Sequence, residues 1–469
     1  MAATQPKVGV VFTLLELYRT AHPDRPAALE ALWRENVTGL LADDAALHFT
    51  GVAHTSDEVA AAVTDCESVD CDLLLVLPMA YAASGAARDA LVRTGLPLVV
   101  VSTARDATLP HDMSGDHIMA NHAMHGVQDL ANVLTRAGRQ FELIVGHASQ
   151  EAFRRKLTDV VRASAGARVL RSGRVARIGK AFEGMLDFSY DAKKLAQLPA
   201  MAGGFEVVDV PPKRLSALSD EVSDDRVAEI VTWAAEQFEV DADLTDEELV
   251  KSARAALAYE DLVAAENLDA FSMNFLDVAA AGAETMPFLG AGRLMSTGVG
   301  YAGEGDVLTA ALVAAAARIE PATTFTEMFC PDYERSEVLL SHMGECNFAL
   351  ANPAYPVKLV AKEFAYGDCA RPAVPVFQLR PGTVTLVNVT EWPGEGLRII
   401  ASPAEVIDAP EHVNLSSPYT RVSFGRDLTE FLEDYSRAGG THHSALAYGD
   451  CTEVFRRMAG LCGLGFRTV

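Results

Sequence analysis

The C-terminal third of the chain contains residues of the types that bind divalent cations. They are Glu304, Glu327, His342 and the adjacent pair His442 and His443. Two carboxylates and two imidazoles suit Mn²⁺, Fe²⁺, Co²⁺ or Zn²⁺, and four protein ligands on a cation that prefers six leave two positions for substrate oxygens. This set favours metal-assisted proton transfer. The intervals between the residues are long and uneven, so the residues can meet only through a particular fold.

Four sequence segments surround these residues, namely 293–312, 325–327, 339–346 and 438–444. In the same order, they resemble the two glutamate motifs and the two histidine motifs of the L-arabinose isomerase family. Members of that family interconvert a linear aldose and its ketose on a Mn²⁺ centre. Weaker similarity at residues 110–112, 121–126 and 144–147 extends the resemblance over nearly the whole chain.

The chain departs from the family mostly at positions that would face the sugar. Leu15 stands where the family has a glutamine that touches substrate, and His122 stands where another glutamine is usual. The resemblance therefore supports the metal and the reaction type better than it supports L-arabinose as the substrate.

The resemblance also implies roles for the ligand residues. Glu304 and Glu327 would be the acid–base pair and would also contact the metal, while His342 and His443 would be its nitrogen ligands. Isomerisation moves a proton between C1 and C2 through a cis-enediol, and a second proton between O1 and O2. A cation bridging both oxygens stabilises the enediolate, and two carboxylates can exchange the roles of acid and base. Mn²⁺ is the expected cofactor, with Co²⁺ or Mg²⁺ as alternatives.

Some of these positions have competitors. Asp332 and Glu334 lie near Glu327 and could be ordinary loop carboxylates, as could Glu327 itself, which is preferred because it fits the motif. Adjacent side chains diverge, so one histidine of the pair is expected to reach the metal. His443 is favoured as the ligand, and His442 as a pocket residue or one that orients it.

Further residues are expected in the sugar pocket. His125 falls where the resembled family places a histidine in the active site of a neighbouring subunit, although it could equally lie on a helix surface. Phe182 and Phe275 could form walls of the pocket, but large aromatic residues are more often core. With Leu15, His122 and His442, these residues complete the predicted substrate-binding set.

The pattern of elements predicts an α/β fold. Apolar strand-like runs alternate with helical patterns in the first third, which indicates a doubly wound parallel sheet, and a second β/α round follows with strands near 168–170 and 205–209. Beyond about residue 325, short strands with Gly and Pro turns indicate an antiparallel barrel or sandwich. We therefore predict two Rossmann-like α/β domains, 1–165 and 166–325, and a β-rich domain, 326–469.

Composition narrows the class of protein. A chain of 469 residues is longer than a single hydrophobic core usually supports, so two or three domains are expected. The formal net charge of −25 makes binding to nucleic acid or to anionic membranes improbable. No apolar run reaches the length of a membrane helix, and the N-terminus has no signal-peptide pattern, so a cytoplasmic protein is expected. Seven cysteines without a CxxC pair indicate free thiols.

Several functions are compatible with this sequence. The leading hypothesis is an intramolecular oxidoreductase of the arabinose isomerase type that acts on L-arabinose or a near stereoisomer. It is expected to be a homo-oligomer, a hexamer or a trimer, with sites near subunit interfaces. The altered residues Leu15, Glu16 and His122 favour, as an alternative, a different aldose, deoxysugar or modified sugar. A sugar-binding protein without turnover is a further alternative, because binding domains also use doubly wound sheets such as that expected in the first 165 residues, but the two glutamates and the histidine segments argue against it. The ligand set alone is also compatible with a hydrolase that uses metal-bound water.

Overall fold

The computed structural model describes residues 5–196, 204–366 and 369–469. The chain begins with a parallel sheet whose strand order is β2-β1-β3-β4-β5. Its strands are β1 (Lys7–Thr13), β2 (Ala46–Ala53), β3 (Leu73–Pro78), β4 (Leu98–Ser102) and β5 (Glu142–Val145). The helices of this region are α1 (Leu17–Ala21), α2 (Arg25–Leu41), α3 (Ser56–Ser68), α4 (Ser84–Arg93), α5 (Gly115–Asn121), α6 (Met124–Arg136) and α7 (Glu151–Ser172).

Helices cover both faces of this sheet. Val8, Val10 and Phe12 of β1 belong to a core that includes residues of α2 and α7, whereas Val11 belongs to a second core with residues of α3, α4 and α6. Successive side chains of a strand point to opposite faces, so an uninterrupted apolar run is what a sheet buried on both sides requires. The predicted doubly wound arrangement is confirmed, and the strand order reverses between β1 and β3.

A second parallel sheet has the order β10-β9-β6-β7. The strands of this region are β6 (Arg174–Ile178), β7 (Glu206–Val210), β8 (Glu239–Val240), β9 (Ala270–Met273) and β10 (Gly300–Gly303), of which β8 pairs elsewhere. Its helices are α8 (Ala192–Ala196), α9 (Pro212–Glu221), α10 (Asp224–Gln237), α11 (Asp246–Glu266), α12 (Phe288–Ser296) and α13 (Val307–Ile319), with a 3₁₀ turn at Phe275–Asp277. Thr245 and Glu248 form the capping box of α11 that their spacing indicates.

One predicted strand is wrong. Residues 168–170 belong to α7, because buried positions recur at helical spacing from Phe153 through Leu157, Val160 and Val161 to Leu170. The helix ends at Gly173, where a Cβ would lie 2.5 Å from the carbonyl oxygen of Val169, and the strand begins one residue later as β6.

The C-terminal region contains an antiparallel barrel. Its elements are β11 (Thr323–Asp332), β12 (Glu337–Ser341), a 3₁₀ turn (Phe348–Leu350), β13 (Lys358–Ala361), β14 (Ala373–Val376), β15 (Gly382–Trp392), β16 (Gly396–Val406), β17 (Tyr419–Ser423), α14 (Leu428–Arg437), β18 (His443–Tyr448), α15 (Thr452–Cys462) and β19 (Gly465–Thr468). The order β15-β18-β11-β12-β17-β16 closes because β15 also pairs with β16 along its length. The predicted β-barrel is therefore confirmed.

Smaller pairings complete the architecture. β19 adds to β16 in parallel, and β14, β13 and β8 form a separate small sheet. The predicted domain edges at 165/166 and 325/326 stay predictions, and these positions lie within α7 and β11. Within the described ranges, no helix is both long and apolar enough to span a membrane.

Candidate metal centre

Glu304 lies in the turn between β10 and α13, at the carboxyl end of the second parallel sheet. Its backbone is left-handed, with φ +65°, which is uncommon for a residue with a side chain and is found more often at functional sites. Gly305 continues the turn with φ +77°, and a Cβ there would lie 2.6 Å from Cα of Ala181. Asp306 then caps α13 by accepting a hydrogen bond from the backbone N–H of Thr309 at 2.8 Å. The backbone of this turn is therefore constrained, and it holds the Glu304 carboxylate in a defined position.

The barrel supplies the remaining ligand candidates from neighbouring strands. In the central strand β11, Glu327 pairs with Ser341 of β12 on one side and with His443 of β18 on the other. His342 directly follows Ser341. Three candidates that are far apart in the sequence are therefore brought together by the register of adjacent strands.

The candidates form two overlapping groups. Potential ligand atoms of Glu304, His442 and His443 lie within 4.8 Å of one another, and so do those of Glu327, His342 and His443. The Nε2 atom of His443 is 3.3 Å from Oε2 of Glu304, and Nε2 of His342 is 3.8 Å from Oε2 of Glu327. His443 is common to both groups, so the four predicted metal ligands surround one location.

Each of the three imidazoles is held by a carboxylate at its other nitrogen. Nδ1 of His342 donates to Glu345 at 2.7 Å, and Nδ1 of His443 donates to Asp306 at 2.9 Å. Nδ1 of His442 donates to Asp187 at 2.6 Å. A proton fixed on Nδ1 leaves Nε2 facing the carboxylates, which is the arrangement that orients histidine ligands in metal sites.

Two buried atoms at this location have no hydrogen-bond partner. They are Oε2 of Glu304 and Nε2 of His443, which are not in hydrogen-bonding geometry with each other despite their separation of 3.3 Å. A buried polar atom without a partner is costly. A divalent cation bound by both atoms would remove that cost, and the oxygen and nitrogen donors suit a first-row divalent metal. Glu304 and His443 therefore fit the divalent cation that the family resemblance implies.

The two glutamates are in different electrostatic environments. Burial alone would raise the pKa of Glu304, but the nearby His442 and His443 rings outweigh it and hold that pKa well below its usual range. At Glu327 burial dominates over the attraction of His342 and His443, and the pKa is raised. Environments that push the pKa values of two carboxyls apart favour different roles as base and acid.

The histidine pair is shifted toward the charged form. Burial would lower the pKa of His443, but Asp306 and Glu304 raise it to about 9. Burial likewise opposes the charge on His442, while Asp187 and Glu304 raise its pKa to about 10. In the cation-free protein both rings therefore favour the protonated form, and a histidine that binds a metal ion through Nε2 must first lose the proton there.

A group of aromatic side chains begins at the turn that carries Glu304. Phe182 donates its backbone N–H to the carbonyl oxygen of Glu304 at 2.8 Å, and its ring lies 5.5 Å from that of Phe275. Phe364 and Tyr366 extend this wall from Phe275 at 6.1 and 6.2 Å. The two phenylalanines predicted from the sequence thus lie beside the metal-ligand candidates.

The remaining predicted pocket residues lie at the carboxyl end of the first sheet. His122 accepts from or donates to the hydroxyl of Tyr18 at 2.8 Å, His125 stacks on Tyr81 at 4.4 Å, and the two imidazoles are 5.3 Å apart. Leu15 borders an adjoining cavity of about 190 Å³. Across the described parts of the chain, no hydrogen bond, ion pair or ring contact joins this cluster to Glu304 or His443.

Sequence reasoning missed the carboxylates that orient the imidazoles. Asp306 is two residues after Glu304 and Glu345 is three residues after His342, so both could have been found as acidic neighbours within the motifs. Asp187 gave no such signal, because it is 255 residues from His442 in the chain.

Comparisons with known proteins point to one family. The model of the L-arabinose isomerase central domain matches residues 191–321, and that of the L-arabinose isomerase C-terminal domain matches residues 322–465. An L-arabinose isomerase from Nocardioides sp. is 28% identical over 383 residues, which are 78% of this chain and 74% of the relative. L-arabinose isomerases from Saccharophagus degradans and Herpetosiphon aurantiacus are 27% and 28% identical, over 78% and 79% of this chain and 74% and 75% of the relatives.

These matches support an enzyme of the isomerase class. The chain belongs to the L-arabinose isomerase family, as a divergent member. A solved periplasmic solute-binding protein from Actinobacillus succinogenes, with bound D-allose, aligns with 67% of this chain and 92% of its own, at 12% identity and a TM-score of 0.18, which is too low to support any inference.

Proposed function

We propose that the protein is a metal-dependent aldose–ketose isomerase, an intramolecular oxidoreductase that interconverts L-arabinose, or a closely related aldose, and its ketose through a cis-enediol. The observation that carries this proposal is the convergence of Glu304, Glu327, His342 and His443. Glu304 comes from a loop of the parallel sheet, Glu327 and His443 from strands of the barrel, and His342 from the residue that follows β12. They lie, in order, in the four segments that resemble the family's motifs.

Glu304 and Glu327 are proposed to move the proton between C1 and C2. The lowered pKa of Glu304 keeps its carboxylate ionised and available to accept a proton, and the raised pKa of Glu327 lets that carboxyl hold a proton more readily. Their side chains are 10% exposed at Glu304 and 23% exposed at Glu327, which limits the water that can compete for the proton. A bound divalent cation supplies Lewis-acid stabilisation of negative charge on the sugar oxygens. His342 and His443 would hold it together with the two glutamates.

Mn²⁺ is the proposed cation, with Co²⁺ or Mg²⁺ as alternatives. Imidazole nitrogens favour Mn²⁺ or Co²⁺ over Mg²⁺, which prefers oxygen ligands and retains water. Two nitrogens among four proposed protein ligands therefore point away from a pure oxygen site.

We further propose a cytoplasmic homo-oligomer, a hexamer or a trimer, with active sites near subunit interfaces. Large apolar side chains are exposed in the segments that follow β1 and β4, close to His122 and His125; they are Leu17, Leu109, Met113, Ile118 and Met124. A cluster of exposed apolar residues is typical of a surface that another protein covers. A second copy seated there would bring His125 and His122 toward a partner's site.

A second candidate function is isomerisation of a different aldose, deoxysugar or modified sugar. It is favoured by Leu15, an apolar side chain beside the cavity of the first sheet where the family has a glutamine, and by His122. Removing a hydrogen-bond partner at one hydroxyl can change discrimination between substrates by orders of magnitude.

A turnover panel tests these proposals. Mn²⁺-loaded protein is incubated with pentoses, hexoses and 6-deoxyhexoses, and ketose formation is followed together with solvent deuterium incorporation at the carbon that receives the proton. Glu304→Gln should abolish turnover, while Glu334→Gln, at an exposed carboxylate of the β11–β12 turn, should leave it unchanged. Conversion of L-arabinose supports the first candidate, and conversion of another sugar alone supports the second. Deuterium incorporation supports the cis-enediol, and bound sugar without turnover contradicts the isomerase.

A further inference from the structure

Three carboxylates hold three imidazoles at this site, and one of the three pairs is unlike the rest. The side chains of Glu345 and Asp306, which hold His342 and His443, are buried. The side chain of Asp187 is 40% exposed, and that of its partner His442 is 29% exposed, whereas His443 is completely buried. The Asp187–His442 pair therefore borders the opening of the site, and the two buried pairs lie behind it.

Asp187 fixes both the backbone and the ring of His442. One carboxylate oxygen accepts a hydrogen bond from the backbone N–H of His442 at 3.1 Å and another from its Nδ1 at 2.6 Å. Two donors of one residue on a single acceptor define the direction of the ring as well as its position. The Nε2 atom of His442 then faces Oε2 of Glu304 at 3.6 Å.

The segment that carries Asp187 also contacts Glu304 and His443. This segment, residues 179–191, connects β6 to α8 and lies against the turn at Glu304, where Phe182 binds the carbonyl oxygen of that residue. Phe188 stacks on the ring of His443 with a centroid distance of 5.7 Å and an interplanar angle of 8°. The central α/β region thus positions an imidazole that belongs to the barrel.

We propose that Asp187 is a positioning residue that holds His442 so that its Nε2 binds an oxygen of the sugar beside Glu304, on the more exposed side of the site. The inference rests on the proposed function and deepens it. His442 binds substrate rather than the cation, because its ring lies at the opening and His443 already supplies a nitrogen to both groups of ligand candidates.

The test compares Asp187→Ala and Asp187→Asn with Glu183→Ala, a change at an exposed acidic residue of the same segment. The readouts are KM and kcat for the sugar that the wild-type protein converts, the affinity for Mn²⁺ alone, and the affinity of the Mn²⁺-loaded protein for L-arabinitol, an open-chain alditol. Thermal melting identifies variants that do not fold.

Asp187→Ala is expected to raise KM and to lower kcat/KM by about 10- to 100-fold, the usual effect of removing a residue that orients a functional imidazole. Affinity for L-arabinitol should fall in parallel, and affinity for Mn²⁺ should stay within about twofold, since His342 and His443 keep their own carboxylates. Asp187→Asn retains an oxygen that accepts from Nδ1 and should recover most of the loss. Glu183→Ala should match the wild type.

Three results would overturn the inference. If Asp187→Ala loses Mn²⁺ affinity in proportion to activity, His442 is a cation ligand. If the kinetics of Asp187→Ala are unchanged, Asp187 does not position His442 for catalysis. If Asp187→Asn is as impaired as Asp187→Ala, the charge of Asp187 matters rather than its positioning of the ring. A wild-type protein that binds L-arabinitol without converting any sugar contradicts the proposed function alone, because the alditol affinities still test Asp187. A wild-type protein that does not bind the alditol overturns the inference as well.

Discussion

Raising the pH from 7 to 8 should strengthen Mn²⁺ binding about tenfold, because each proton displaced by the cation contributes roughly one factor of ten per pH unit below its pKa. The proton in question is held by His443. Burial disfavours the charged ring, yet Asp306 and Glu304 raise its pKa to about 9. Its Nε2 can bind a cation only after that proton leaves.

The size of the effect follows from this pKa. Since pH 7 is about two units below the pKa of His443, deprotonating the ring costs about 3 kcal/mol, or about 100-fold in affinity. The same raised pKa stabilises the cation-free fold, relative to an ordinary histidine value of 6.5. That contribution is complete below about pH 6.5 and is lost as the pH rises through about 9. Thermal stability should therefore fall over this range without Mn²⁺.

Isothermal titration calorimetry with Mn²⁺, carried out in two buffers of different ionisation enthalpy, measures the number of protons released on binding at each pH. One proton released near pH 7.5 corresponds to His443 alone. Release of a second proton would mean that His442, whose pKa is raised to about 10 by Asp187 and Glu304 against the effect of burial, is also a ligand. The His442→Asn variant distinguishes the two, since it can release only the proton of His443.

The reasoning would be refuted by an Mn²⁺ affinity that does not change between pH 7 and 8, with no proton released. That result would mean that His443 is neutral in the cation-free protein or that it is not a ligand. Asp306→Asn separates these possibilities, because loss of the carboxylate should lower the pKa of His443 and thereby reduce the pH dependence only if His443 binds the cation.

Gly305→Ala should lower the free energy of unfolding by more than about 1 kcal/mol, because φ is +77° and the added Cβ would meet Cα of Ala181 at 2.6 Å. Gly298→Ala, at φ +90° in open space, provides the control in urea denaturation, and an equal loss in both variants would exclude the clash. Arg371 and the Thr245 cap lower the pKa of Glu248 to about 2 from its usual 4.5, so the stability from this group is present above about pH 4.5 and is lost as the pH falls through about 2. Between pH 5 and 2, Glu248→Gln should therefore lose less stability than the wild type, and parallel curves would contradict this.

Most of the fold could be predicted because its strands are apolar runs of the length that parallel sheets bury on both faces. The error at residues 168–170 shows where this signal fails, since a short apolar run has no periodicity of its own and α7 continues through it at helical spacing. Closure of the barrel could be suggested only as one of two arrangements, because the pairing of β15 with β16 depends on turn geometry and register rather than on composition.

Residues of the candidate site can be identified from the sequence where they lie within a motif. Glu304, Glu327, His342 and His443 are identified by their motifs, and the structure brings them together. The hydrogen-bond partner of His442 cannot be identified in this way, because Asp187 comes from a different part of the fold and no local sequence spacing connects the two residues. Contacts between distant segments require the tertiary structure.

The helix that follows Glu304, α13, restricts the local motion of the turn that carries this residue. Every residue of α13 except Arg318 is buried, so the turn that carries Glu304 continues into one of the most enclosed elements of the described chain. Exposing the amides of such a helix requires much of the surrounding core to open, so their hydrogen exchange should approach the rate set by global unfolding. Segment 179–191, with Asp187 and the exposed Leu186, has no comparable enclosure and should exchange through local opening. Adaptation to a bound sugar would then occur in this segment, while the Glu304 carboxylate remains in place.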